Sequence, residues 1–273
     1  HKVILVPHTR PLAAEEAREL REYVAAGGQL LLEFPAGPLS AHEPWLEELV
    51  GARQLRDEQA YAFYMLPEEG DLADDLPAGE PVQLYAKEAL VLALTSGRTA
   101  GEVLPQFRDK VRTSDIQTVA NVSARPDQSE RWPGIVLNEV GAGQVLTTAI
   151  PLTVSNQDAA RCPWPRMLAQ NLVRSLLGQQ LVSVGAYSRV EVNLCRQLER
   201  LMLHFVNHGY GAGEFIHGHG EQEFLRELPV RLSPQLRESL REARLEPEGE
   251  ALALTEEGFM LPVLGVHQAV SLK

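Results

Sequence analysis

Thiols come first, because a cysteine on a sharp strand-to-helix elbow, served by a distant histidine, makes a glutaminase nucleophile. The 273-residue chain has two, Cys162 and Cys195. Cys162 sits in AARCPWP, directly before Pro163, in a loop that enters a helix; Cys195 sits at a strand end in NLCRQ. Neither has the flanking glycines of an elbow, so both read as ordinary thiols. No G-x-S-x-G occurs, which removes the serine-hydrolase elbow as well. A phosphate cradle needs its glycines after a strand and before a helix. The nearest match, Gly141-Ala142-Gly143-Gln144, runs into Val145-Leu146-Thr147-Thr148, a strand-like sequence, and so reads as a hairpin turn.

Histidines crowd the last third of the chain: His204, His208, His217, His219 and His267. His217 and His219 stand two residues apart, which in a strand turns both rings to one side. Such a pair can begin a Zn²⁺ or Cu²⁺ site, with Glu214 or Glu221 as further ligands. The surrounding NHGYGAGEFIHGHGEQ nevertheless reads as a Gly/His-rich loop, and no metal site is assigned. Glycoside hydrolysis needs two carboxylates about 5–9 Å apart in a sugar-sized cleft. The acids here fall on helical faces, such as Glu15, Glu16, Glu19 and Glu22, or in turns, such as Glu68-Glu69. Trp45, Trp132 and Trp164 are too scattered to argue a sugar-stacking platform. No catalytic, cofactor-binding or metal-ligating residue is therefore expected.

The elements that would position any site begin with a βαβ unit. Val3–Val6 reads as a strand, residues 7–11 as a turn and residues 12–26 as a helix with Leu12, Ala17, Leu20 and Val24 on one stripe. Gly27-Gly28 stops the helix, and residues 29–34 form an apolar strand of the kind found in a parallel sheet covered on both faces. Residues 39–49 read as a second helix, with Ser40 and Glu43 at capping-box spacing and Gly51 at its end. Residues 52–80 are acidic, poorly periodic and rich in Pro and Gly, and read as a long surface excursion. Short strands are expected over residues 82–85, 90–94, 118–122 and 134–138. A hairpin return follows over residues 145–150, then a helix over residues 165–177 that Gly178 ends. Beyond it the texture becomes alternating short strands (residues 189–194, 201–207, 228–232, 243–245, 251–254, 259–263 and 266–272), the pattern of a β-sandwich or barrel. The domain boundary is placed between 183 and 184.

Composition narrows the function classes. The chain is 44% hydrophobic, enough to fold, and no stretch of about 18 apolar residues suggests a membrane span. Its net charge of −12 repels phosphate backbones and argues against nucleic-acid binding. Only Lys2, Lys87, Lys110 and Lys273 among the 25 bases are lysines, a bias that suits a GC-rich bacterial source. Two cysteines suit a reducing compartment, so a cytoplasmic location is expected. His1-Lys2 leads straight into an apolar strand, with no initiator Met and no signal peptide, and upstream sequence is expected to be missing.

Several segments together resemble a known family. KVILVPHTRPLAAEEARELREYVAAGGQLLLEF, with Leu20-Arg21, Tyr23-Val24 and Ala26-Gly27-Gly28, resembles the trimerisation domain of bacterial β-galactosidases of glycoside hydrolase family forty-two and related glycosidases. LEELVGARQL resembles that domain's next helix and its exit. GIVLNEVGAGQVLTTAIPL, with Asn138, Gly141 and Gly143, resembles its hairpin. VEVNLCRQLERLMLHFVNHG, ending in Val206-Asn207-His208, is similar to the start of the small C-terminal β-domain. The resemblance implies an α/β fold, a flavodoxin or class I amidotransferase-like parallel sheet over residues 1–183 that has lost its catalytic cysteine, followed by a small antiparallel β-sandwich over 184–273. It also implies a non-catalytic region that assembles a homo-oligomer, a trimer in the family it resembles, while carbohydrate is handled by a separate barrel with its own glutamates. No cofactor, nucleic acid or membrane partner is implied. Two alternatives stand beside it: a stand-alone amidotransferase-like protein that binds a small ligand or carbohydrate without hydrolysing it, and a degenerate glutaminase using Cys162.

Overall fold

The computed structural model describes residues 2–7, 12–33, 44–60, 62–84, 86, 88–106, 125–155, 164–178, 180–184, 190–207 and 224–273. It divides into two compact units, His1–Leu177 and Gly178–Lys273. The expected strand at residues 118–122, Phe34, the turn at residues 8–11 and the capping pair Ser40 and Glu43 lie outside the described residues.

In the first unit the opening βαβ forms as its pattern predicts. Strand β1 is Val3–Val6, helix α1 Ala14–Ala25 and strand β2 Gln29–Glu33, with β1 and β2 parallel. Glu15 and Glu16 sit in the first turn of α1, where the helix dipole favours acids. The Glu16 carboxylate accepts the Ala13 N–H at 2.9 Å and so closes the helix start. Leu30, Leu31 and Leu32 are all buried, and since neighbouring residues point to opposite faces, both faces of β2 are covered. Helix α2 is Pro44–Val50, followed by strands β3 (Ala52–Gln59), β4 (Phe63–Pro67) and β5 (Val82–Leu84). Strands β6 (Glu88–Leu94), β7 (Arg98–Pro105), β8 (Trp132–Val140) and β9 (Gly143–Thr148) come next, then helices α3 (Leu152–Ser155) and α4 (Trp164–Leu177).

The sheet runs β1-β2-β9-β8-β7-β4-β5. Here the parallel-sheet expectation is corrected. Only β1, β2 and β9 run parallel; every further pairing, from β9 to β8 and on to β5, is antiparallel. The physical reason is the two-residue turn at Gly141-Ala142, which sends β9 back along β8, and strands joined by tight turns pair antiparallel. The surface excursion of residues 52–80 is also corrected. Residues 63–67 are a sheet strand whose Phe63 and Met65 are fully buried, while β3 pairs with β6 as a separate ribbon. Arg53, Arg56 and Asp57 of β3 remain exposed, so the strand carries no apolar signal in sequence.

The second unit is a β-sandwich. Its strands are β10 (Val182–Val184), β11 (Val190–Gln197), β12 (Arg200–Asn207), β13 (Leu225–Leu232), β14 (Ala243–Glu246), β15 (Ala251–Leu252), β16 (Gly258–Leu264) and β17 (His267–Leu272). A short helix α5, Pro234–Glu238, is capped by Ser233, whose hydroxyl accepts the Leu236 N–H at 3.2 Å. One antiparallel sheet orders β10-β13-β16, the other β11-β12-β17-β14-β15. Leu203, Phe205 and Val270 from one sheet and Leu228, Leu261 and Leu264 from the other are fully buried in a single core. Strand β10 pairs with β13 and so belongs to this unit, although the sequence reading ended the first domain at residue 183.

Candidate functional site

The glycine pairs named by the family resemblance turn out to interlock. The turn of the β8–β9 hairpin sits on the end of α1: the Ala142 N–H donates to the Ala25 carbonyl at 3.1 Å, and the Gln144 N–H to the Gly28 carbonyl at 3.3 Å. A Cβ on Gly143 would lie 2.1 Å from the Gly28 oxygen and 2.2 Å from the Val24 oxygen. The Tyr23 ring covers Gly28, and its hydroxyl donates to the Lys2 carbonyl at 3.1 Å while accepting the Gln29 N–H at 3.3 Å. One tyrosine thereby ties α1 to both β1 and β2.

Asn138 makes a second tie. It is buried on β8, and its Nδ2 donates to the carbonyls of Glu48 at 2.8 Å and Leu49 at 3.0 Å, at the end of α2. Its Oδ1 accepts from the Ser96 hydroxyl at 3.2 Å. The last carbonyls of a helix have no partner within it, so this side chain supplies what the helix itself does not.

Ligands in open α/β sheets bind at the carboxyl ends of parallel strands. At that end of β2 stands Glu33, 2% exposed, a residue that belongs to no motif. Its carboxylate accepts the Thr153 N–H at 3.1 Å and also a close hydrogen bond from the Thr153 hydroxyl. The group fastens the start of α3 and is engaged rather than free to act as a base. Glu33→Gln should turn one acceptor oxygen into a donor and cost about 1–2 kcal/mol. A melting temperature about 2–8 °C lower would register it; an unchanged one would mean that the Thr153 contacts carry no stability.

Cys162, His208, His217, His219, Glu214 and Glu221 lie outside the described residues. Cys195 is an exposed free thiol on β11. Gly141 adopts φ +62 in the hairpin turn, so the Gly-Ala-Gly segment cradles a helix end and opens none. Trp132 is buried edge-on to Phe63, with centroids 6.4 Å apart, and so offers no stacking face; Trp164 is half-buried and packs against the core. Glu15 and Glu22 both pair with Arg18 on the exposed face of α1. Among the described residues no three His, Cys, Asp or Glu side chains converge as a metal site. His204 and His267 do meet, which their separation in sequence did not foretell.

Two grooves remain. In the first unit Leu137, Leu146 and Leu176 floor a groove of about 230 Å³, rimmed by Glu68, Glu69 and Asp71. Arg98 pairs with Glu68 at 2.8 Å, both exposed. Its wall is held by Asn171, whose Nδ2 donates to the Asp74 carbonyl at 2.7 Å and to the Leu72 carbonyl at 3.2 Å. The second unit has a groove of about 380 Å³ beside α5, where Arg237 is spent on the carbonyls of Thr255 and Leu240. Ligand clefts usually hold about 300–1,000 Å³. The first groove falls below that range and the second lies at its lower end, with its main cation already committed. The carboxyl of Glu242 is held below the usual carboxylate range by the hydrogen bond from Arg244, but the pair is exposed and lines neither groove.

No protein-family model matches the chain, and no curated protein matches it. Solved structures do. The α-L-fucosidase isoenzyme 2 from Paenibacillus thiaminolyticus matches all of this chain with a TM-score of 0.72 at 17% identity. A GH42 β-galactosidase from G. stearothermophilus and a β-galactosidase from Bacillus circulans sp. alkalophilus each match all of it with a TM-score of 0.59, at 15% and 14% identity. The fold is shared; at these identities that is what the likeness establishes. The chain spans 41% of the fucosidase and 32% and 33% of the two β-galactosidases. Among the described residues no helix is long and apolar enough to cross a membrane.

Proposed function

We propose that this chain is a non-catalytic accessory region of a larger glycoside hydrolase of β-galactosidase type. One observation carries the reading: every part of the chain is matched by about a third to two fifths of a fucosidase and of β-galactosidases, so the whole of it corresponds to a portion of such enzymes. Of the carboxylates at the two places a ligand could reach, Glu33 is tied to Thr153 and Glu68 to Arg98. In this reading the first unit is a degenerate amidotransferase-like domain that assembles copies of the protein into a homo-oligomer, a trimer by family resemblance. The sandwich is a second accessory domain. Catalytic glutamates and sugar contacts belong to a separate barrel, and the compartment is the cytoplasm, in keeping with two cysteines in the chain.

The test has two readouts on residues 1–273. Turnover of nitrophenyl galactoside and nitrophenyl fucoside should be absent; turnover that survives purification would overturn the non-catalytic role. Light scattering at tens of micromolar should give an oligomer, and a strict monomer would remove the assembly role while leaving the accessory reading standing.

A further inference from the structure

In the second unit, β12 and β17 each turn one face to the core. Leu203 and Phe205 on β12 and Val270 and Leu272 on β17 are buried, so His204 and His267 stand on the outer face. The register sets His204 opposite Ala269 and His267 opposite Val206, which makes the two histidines diagonal neighbours on adjacent antiparallel strands. Side chains on such a diagonal can reach one another. These do: Nδ1 of His204 lies 3.2 Å from Nε2 of His267, with the ring planes inclined by 18° and the centroids 5.4 Å apart. The centroids are much farther apart than the nitrogens, so the rings meet nitrogen to nitrogen rather than face to face.

Two lone pairs cannot share that space. Either a proton lies between the nitrogens or both hold a cation. A tetrahedral ion with metal–nitrogen bonds of about 2.0–2.1 Å keeps two ligand nitrogens about 3.3 Å apart. The strand register therefore already supplies the bite that such an ion requires. Carboxylates flank the pair on both outer sides. Glu191 of β11 is opposite Val206, hence diagonal to His204, and Glu246 of β14 is opposite Ala269, hence diagonal to His267. Glu191 accepts from Asn193 and Glu246 pairs with Arg200 at 3.2 Å, so both carboxylates are engaged and water would have to complete the coordination of any ion held by the histidines.

We infer that His204 and His267 form a two-histidine site for a borderline divalent transition cation, of the class of Zn²⁺, Ni²⁺ or Cu²⁺. Neutral imidazole suits these ions, whereas Mg²⁺ and Ca²⁺ prefer all-oxygen shells. The inference is independent of the accessory-region reading.

Titration of the full chain with ZnCl2 and with NiCl2, followed by calorimetry in a non-chelating buffer at pH 7.5, tests it. One saturable site is expected, weakened at least tenfold in His204→Gln and in His267→Gln, with the double variant no weaker than either. Because the chain has eight histidines, the imidazole nitrogens are also followed by NMR in the unsubstituted protein. Nδ1 of His204 and Nε2 of His267 should shift together and saturate at one equivalent of Zn²⁺, and stay in place with MgCl2. Affinity unchanged in the double variant would assign the ion to other histidines and overturn the site. Absence of any shift at these two nitrogens would leave a hydrogen-bonded pair only, and would overturn it equally. The NMR readout needs no substitution, so it decides even if a variant folds poorly.

Discussion

Gly143→Ala should destabilise the first unit by about 3 kcal/mol or more, an amount that overpacking reaches when nothing nearby can yield. The new methyl would stand 2.1 Å and 2.2 Å from the carbonyl oxygens of Gly28 and Val24, both backbone atoms. Moving them means lifting the hairpin from the end of α1 and breaking the bonds from Ala142 to Ala25 and from Gln144 to Gly28. Against a total stability of about 5–15 kcal/mol, that is a large share. Gly265→Ala is the control: its methyl would meet only the Phe224 ring, at 3.3 Å, in the other unit. Hydrogen exchange should show protection lost over residues 14–33 and 132–148 in Gly143→Ala, and retained there in the control. A Gly143→Ala chain within about 0.5 kcal/mol of the parent would show that the hairpin and helix can part at little cost, and the interlock would lose its standing as the unit's keystone.

That interlock was half legible in the sequence. Gly27-Gly28 reads as a helix stop and Gly141-Ala142-Gly143 as a hairpin turn, each from local chemistry. That the two stops pack on one another depends on β2 and β9 being parallel neighbours, a pairing across more than a hundred residues that no local pattern encodes. The same limit hides β3. A ribbon strand such as β3, paired with β6 alone and exposed at Arg53, Leu55, Arg56, Asp57 and Gln59, has no reason to alternate. The sandwich was easier, because Leu203, Phe205, Val270 and Leu272 repeat with the period of two that one buried face imposes.

Candidate site residues divide along the same line. Histidine content was visible, but the pairing of His204 with His267 is fixed by the register of β12 on β17 rather than by spacing. Glu33 closes an apolar run and carries no motif at all; its partner Thr153 lies 120 residues away. Buried polar groups of this kind are found by asking which backbone donors and acceptors lack partners, a question that needs the fold.

Asn138→Ala should cost about 2–4 kcal/mol, and Asn138→Asp at least as much, although aspartate is the closer match in shape. The Nδ2 group reaches the carbonyls of Glu48 and Leu49 together, from a residue only 4% exposed. Alanine leaves those carbonyls short of a donor, and each unsatisfied buried group costs about 1–3 kcal/mol. Aspartate does worse in kind, because it presents a carboxylate to two carbonyl oxygens in a site closed to water. The amide orientation is fixed by the same logic: flipped, its oxygen would face both carbonyls and its nitrogen would lose them. Urea unfolding of the three proteins should therefore rank asparagine first, with both variants well below it. Exchange at the end of α2, over residues 47–51, should rise in step. An aspartate variant as stable as the parent would mean that the carbonyls of α2 find other donors when Asn138 withdraws, and that β8 holds the helix through packing of Leu49 and Val50 alone, both of which are fully buried.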